Sequence, residues 1–234
     1  MKNILNERPK VDLKERLGAS VRYVSSSRIK NKKVLDIGCG YGWFELDALR
    51  RGAKEIIGTE ITGKDLLTAK KYIKDKRAKF IVGSAIDLPF KKSRFDSVVC
   101  WEVIEHIPRY TENLFFSEVN RVLQNGGYFY LSTPYDSIIS KFLDPAWWLK
   151  GHRHYNQENL KAIAQKNGFR TVDFKVKGRI FTLISLLSMY MFKWILRKNV
   201  EMPRTFLANV NEEYEKDNGY MDLFMKFQKI KDII

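Results

Sequence analysis

The chain has 234 residues, 44% hydrophobic and 29% charged, which excludes a disordered or fibrous chain and suits one globular domain with a sizeable core. Its 42 Lys and Arg against 27 Asp and Glu give a net charge of +15, which favours an anionic partner: a phospholipid surface, a phosphorylated metabolite or nucleic acid. Two cysteines, Cys39 and Cys100, exclude a disulfide framework, and the polar stretch from Met1 to Lys10, with Pro9, does not read as a signal peptide; a cytoplasmic location is expected.

Residues 1–30 read as an N-terminal helical extension. From Lys33 to Val176 strand and helix patterns then alternate. Strands are predicted at 33–37, 54–59, 79–83, 95–101 and 127–133, with helices at 42–51, 64–75 and 111–123. Such alternation predicts an α/β fold, a parallel sheet with helices on both faces and right-handed crossovers. Ligands of such sheets bind beyond the carboxyl ends of the strands. Asp36, Glu60, Asp87 and Glu102 all fall at or just after those ends and should converge on one rim.

The first strand runs into a glycine turn, Val34-Leu35-Asp36-Ile37-Gly38-Cys39-Gly40-Tyr41-Gly42. Glycine lets backbone N–H groups and a helix N-terminus approach a ligand closely. The spacing is G-x-G-x-G, and Trp43 stands where a dinucleotide fingerprint needs its third glycine. Asp36, two positions before Gly38, would repel a pyrophosphate but suits an ammonium group. The turn therefore reads as a site for a cationic nucleoside rather than NAD.

Beyond Pro134 a loop rich in Trp, Pro and His occupies 135–155. A helix follows, with Asn156 as N-cap and Gly168 as its stop. Strands are predicted at 169–177 and 221–229, and an insertion at 179–219 separates them. Within it, Ile180 to Leu196 is an apolar run of 17 residues, at the lower limit for a bilayer span, and it contains Lys193. A single crossing would put the two flanking strands on opposite sides of a membrane, which argues against a span. Thr182, Ser185 and Ser188 form a weakly polar stripe on this helix. It can pack on its own core, cap a site, dimerise, or lie in a membrane interface with Arg179, Lys193, Arg197 and Lys198 near head groups. An anionic membrane surface contacted through residues 179–198 is thus a candidate partner, and the location becomes cytoplasmic or peripheral at a membrane.

Five segments in order carry a resemblance: the turn at 34–42; Lys54-Glu55-Ile56-Ile57-Gly58-Thr59-Glu60; Phe80 to Phe90; Phe95-Asp96-Ser97-Val98-Val99-Cys100-Trp101-Glu102; and Leu123 to Pro134. Together they resemble the class I S-adenosylmethionine-dependent methyltransferases, of the ubiquinone-biosynthesis kind. The resemblance implies a Rossmann-like seven-stranded, mostly parallel sheet with an antiparallel last strand. It implies S-adenosylmethionine as cofactor. Asp36, Gly38, Cys39, Gly40, Tyr41, Glu60, Ile61, Ala85, Ile86 and Asp87 would bind it. Tyr41 would cover its methionine part, Glu60 would accept from both ribose hydroxyls, and Asp87 would accept from the adenine amino group. Trp101 would lie against the adenine or the acceptor, or else pack in the core.

For catalysis the best segment is Glu102-Val103-Ile104-Glu105-His106-Ile107. If a helical turn starts after Trp101, Glu102 and Glu105 share a face with His106. The segment resembles the Glu-x-x-Glu-His element of ubiquinone-pathway O-methyltransferases and of metal-dependent small-RNA methyltransferases. The reading adopts no metal and keeps Glu102, Glu105 and His106 with Mg²⁺ as the alternative. His152-Arg153-His154-Tyr155 is the second cluster. His152 or His154 can serve as general base, join Glu105 and His106 at a metal, or bind an anion with Arg153. Glu105, His106 and His154 are the catalytic candidates. The expected acceptor is small and hydrophobic or lipid-like, methylated on oxygen or carbon. An RNA or protein acceptor, or a binding protein without turnover, remains the alternative; nucleic acid is the less favoured partner.

Overall fold

The computed structural model describes residues 7–197 and 202–232. Seven strands are present: β1 (Lys33–Ile37), β2 (Glu55–Glu60), β3 (Ala78–Val82), β4 (Phe95–Trp101), β5 (Leu123–Pro134), β6 (Phe169–Lys177) and β7 (Asp222–Lys229). They form one sheet in the order β3-β2-β1-β4-β5-β7-β6. The first five are parallel, and β7 runs antiparallel between β5 and β6. Strand order reverses at β1 and β4, and the carboxyl ends of those two strands open the crevice in which such sheets take ligands.

Period-two alternation sorts the side chains to two faces. Leu35, Val98, Cys100, Phe129, Leu131, Met225 and Phe227 join one core, under α4 (Glu112–Val122) and α7 (Gln157–Lys166). Val34, Val99, Trp101, Tyr130 and Phe224 join the other, with Phe44 and Ala48 of α2 (Trp43–Arg50) and Val210 of α9 (Arg204–Glu215). The first core centres on Phe116, whose ring meets Phe115, Phe129, Phe169 and Phe227 edge-on at 5.6 to 6.1 Å. Asn156 caps α7 by accepting from Asn159 N–H at 2.9 Å, and Gly168 stops it at φ 76°, both as the residue types predict.

Two expectations need correction, and two gain detail. The helix predicted at 64–75 is only α3 (Leu67–Tyr72). The 135–155 loop contains two short helices, α5 (Ile138–Leu143) and α6 (Pro145–Lys150); Ser137 caps α5, and Pro145 sits at the first position of α6, where its missing N–H costs nothing. The N-terminal extension is helical at α1 (Glu15–Tyr23) and in a short 3₁₀ turn, Ser26–Arg28; residues 1–6 lie outside the described residues. The apolar run forms α8 (Ile180–Met189), which widens into a π-helix at Tyr190–Ile195. Among the described residues no helix is long and apolar enough to cross a membrane.

The insertion is anchored by one carboxylate. Glu213, on α9, accepts from the backbone N–H groups of Arg179, Phe181 and Thr182 at 2.8 to 2.9 Å and from Thr182 Oγ1 at 2.8 Å. This satisfies donors that the first turn of α8 leaves open. It also sets the orientation of the helix. Thr182 is buried against Glu213, while Ile180, Ile184, Leu187 and Met191, at helical spacing, face outward.

Candidate active site

The glycine turn is held from β2: Gly38 and Cys39 N–H both donate to Thr59 O, at 2.9 and 3.0 Å. Gly38 has φ 78°, and a Cβ there would lie 2.3 Å from Val103 Cγ2. Gly40, at φ 53°, differs: a Cβ there would meet nothing within 4 Å, so the backbone faces open space. That is the cradle a ligand needs for close approach. Cys39 is buried beneath it and Tyr41 is half-buried beside it.

Three carboxyl groups surround this turn. Asp36 is 1% exposed, and neither of its carboxylate oxygens has a hydrogen-bond partner. Burial, and then Glu60, push its pKa well above the ordinary carboxylate range. Glu60, at the tip of β2, accepts from Gly40 N–H at 2.7 Å, and burial raises its pKa too. The third is Glu45, from α2. It is fully buried with both oxygens unpartnered, and its pKa is raised well above normal by burial and then by Asp36. Gly58 makes room for it: a Cβ there would stand 2.3 Å from Glu45 Oε1.

The segment after β4 does not form the helical turn expected directly after Trp101. Glu102 adopts φ 56°, a left-handed conformation strained for a side chain of its kind, and the turn begins at Val103, whose carbonyl accepts from His106 N–H. Glu102 therefore turns away from Glu105. It accepts from Ser132 Oγ at 2.6 Å and from Arg16 of α1 at 2.8 Å, and Arg16 also lies 3.6 Å from buried Asp222. Glu105 is buried, with Oε2 accepting from Thr133 Oγ1 at 3.1 Å and Oε1 without a hydrogen-bond partner. Burial, then Glu102, raise its pKa well above normal. The His106 side chain is 53% exposed.

The His-Arg-His-Tyr segment is extended, and its residues alternate in direction. His152 Nε2 stands 3.2 Å from His106 Nε2, and its Nδ1 lies 3.4 Å from Asp144 Oδ2. His154 Nε2 meets the same Asp144 oxygen at 3.1 Å. Arg153 and Tyr155 point the other way. Arg153 donates to Glu112 Oε1 at 2.7 Å and to the carbonyls of Ile104, Glu105 and Ile107; Tyr155 OH donates to Glu112 at 3.0 Å. Arg153 thus clamps the turn carrying Glu105 and His106, and it is not available to bind an anion. The expected base His154 has no exposed side-chain surface; it holds Asp144.

The family model for a methyltransferase domain matches residues 35–131. A probable S-adenosylmethionine-dependent methyltransferase of Mycolicibacterium smegmatis is 30% identical over 146 residues, 62% of this chain and 55% of that protein. The ubiquinone biosynthesis O-methyltransferase of Pelagibacter ubique is 31% identical over 124 residues, 52% of this chain and 50% of that protein. The chain therefore spans about half the length of these relatives. Residues 35–131 are thus similar to a methyltransferase domain. The chain's fold likewise matches the crystal structure of a putative sarcosine dimethylglycine methyltransferase from Galdieria sulphuraria, with a TM-score of 0.68 at 19% identity, covering 93% of this chain and 85% of that one.

Within the matched residues the remaining expected positions divide. Ile61 is exposed just past β2, Ala85 and Ile86 are half-buried after β3, and Asp87 is exposed in the same turn. Trp101 takes the core placement of its two alternatives. It shares the parity of Val99, so its ring packs in the core, 5.9 Å from Phe44 and 6.3 Å from Phe224. The sequence reading passed over Arg16, Glu45, Glu112, Thr133 and Asp144. Only the period of two in His152 to Tyr155 offered a signal, since it implies a partner on each side.

Proposed function

We propose that the chain transfers a methyl group from S-adenosylmethionine to a small, lipid-like acceptor, at oxygen or carbon. The observation that carries this reading is Asp36, a carboxylate sealed beneath the glycine turn with neither oxygen hydrogen-bonded. A cationic ligand seated on the open side of Gly40 would supply the missing counter-charge. The residues present fit that cofactor. Glu60 offers acceptors for a diol, and Asp87, exposed after β3, offers one for an exocyclic amino group. When bound, the cofactor supplies a methyl group already activated on positive sulfur, so the protein's share is orientation and exclusion of water.

On the acceptor side, His106 is half-exposed and placed to take a proton from an oxygen acceptor; Glu105 lies behind it, and His154 acts through Asp144. The apolar outer faces of α5, α6 and α8, which include Ile138, Phe142, Trp148, Ile184 and Leu187, support a lipid-like acceptor, as does the similarity to a ubiquinone-pathway enzyme. The test has two stages. Calorimetry should show binding of S-adenosylhomocysteine and not of NAD; no heat with the former, or tighter binding of the latter, removes the reading. Incubation with methyl-labelled cofactor and a cell extract should then place label in the lipid fraction. Label in RNA or protein would replace the acceptor class, and binding without transfer would leave a cofactor-binding protein.

A further inference from the structure

We propose that the amino-terminal end of the sheet carries a binding site for a phosphate-type oxyanion, free or at the end of a phosphate ester, centred on Arg28 and Lys32. A cavity of about 190 Å³ opens there, lined by Arg28, Lys32, Asp96, Ser97 and residues 124–127. It sits at the lead-in to β1 and the first residues of β4 and β5, so the five residues of β1, about 16 Å, separate it from the glycine turn. A net charge of +15 names no place for an anion by itself. In this recess two cationic side chains are held in position by other groups, each in its own way.

Half-buried Arg28 ends the 3₁₀ turn Ser26–Arg28, and its carbonyl accepts from buried Ser97 Oγ at 3.0 Å, which pins the turn to β4. Its guanidinium lies 3.8 Å from the centre of the Tyr128 ring. An arginine laid on an aromatic face keeps its N–H donors at the edge, free for an oxyanion. Among the described residues Arg28 has no carboxylate partner. Lys32 Nζ donates to Asp96 Oδ1 at 3.1 Å, and Asp96 Oδ2 accepts from Lys33 N–H at 2.9 Å. Both oxygens of that carboxylate are engaged and one ammonium offsets its charge, while two further Lys32 protons remain to donate. The third wall is a bulge. Pairing of β5 with β4 jumps from Phe95–Leu123 to Ser97–Tyr128, so residues 124–127 loop out opposite Asp96 alone. The Gly126 carbonyl, accepting from Gln228 Nε2 at 3.1 Å, ties the bulge to β7, and the Gln124 amide lines the cavity from it. Donors thus reach the recess from three separate elements. A carboxylate offers its acceptors in one plane, whereas a phosphate offers them in three dimensions and suits this arrangement better.

The intact 234-residue chain is titrated with inorganic phosphate by calorimetry, with sodium chloride adjusted to hold ionic strength constant. One equivalent should bind saturably, and saturating S-adenosylhomocysteine should leave its affinity unchanged, because the two places lie at opposite ends of the sheet. Arg28→Gln should weaken phosphate binding about tenfold and Lys32→Gln about threefold. Lys30→Gln removes the same charge from an exposed position outside the recess and should change nothing. Far-ultraviolet circular dichroism and thermal melts without phosphate check the fold of each variant. Glycerol phosphate and adenosine monophosphate are titrated in parallel: an ester that binds more tightly than inorganic phosphate assigns the site to a phosphate ester, and the reverse order assigns it to the free ion, each upholding the proposal. No saturable phosphate binding in the wild type overturns it, as does binding that survives both Arg28→Gln and Lys32→Gln, that falls equally with Lys30→Gln, or that S-adenosylhomocysteine displaces. Phosphate binding without S-adenosylhomocysteine binding would remove the methyl-transfer reading and leave this site standing.

Discussion

Asp36 and Glu45 are carboxyl groups whose burial makes ionisation costly; Glu60 adds to the cost for Asp36, and Asp36 to that for Glu45. A carboxyl group with a folded pKa above its unfolded value binds more protons folded than unfolded between the two. Stability is therefore fully present below the unfolded value, near 3.8 for Asp36, and is lost as pH rises through the raised one. Asp36→Asn removes one such group. Thermal melts across pH 4–8 should show the ligand-free variant melting above the wild type at the upper end, with the two curves meeting in acid. The same variant should bind S-adenosylhomocysteine about 1–3 kcal/mol more weakly, the loss of a charge-assisted hydrogen bond, and wild-type affinity should rise with pH as Asp36 ionises. Equal melts and equal affinity would show that Asp36 does not carry the ligand charge. Asp36 was legible because its place before the glycines is chemically telling. Glu45 was not: in a helix of mixed pattern it reads as a surface residue, and only the bare Cα of Gly58 on a separate strand gives it space.

Strands were the most legible elements, because alternating apolar residues must face two cores, and β1, β4 and β6 have the bounds the pattern predicts. The segments after β4 and β5 were hidden. A left-handed Glu102 cannot be read from its neighbours, since Arg16 and Ser132 hold it there from other elements. The faces of α8 could likewise not be assigned from the run itself, because the deciding residue, Glu213, lies about 30 positions further on. With four hydrogen bonds on one buried carboxylate, Glu213→Ala should destabilise the protein by about 3 kcal/mol, lowering the melting temperature by several degrees. Limited proteolysis should then cut first within the insertion; an unchanged melt would mean that α8 is held by its packing instead.

At the level of the entire chain, a net charge of +15 accompanies an outward row of Ile180, Ile184, Leu187 and Met191. Arg179 and Arg197 flank this helical segment and are exposed; Lys198 lies outside the described residues. A face of this kind suits the interface of an anionic bilayer. Co-sedimentation with phosphatidylserine vesicles should fall with added salt and at least tenfold with Ile184→Asp and Leu187→Asp together, in a variant that melts like the wild type. Retention of binding would assign the row to another role.

The position of β7 bears on how the molecule is made. Leu223, Phe224, Met225 and Phe227 are fully buried between β5 and β6, yet they follow the whole insertion in chain order. Until the ribosome has delivered them, two unpaired edges and an unfilled hydrophobic seam stand open on the nascent chain, a state prone to self-association. Closure of the sheet is thus a late, long-range event, and the aromatic cluster around Phe116 is completed only then.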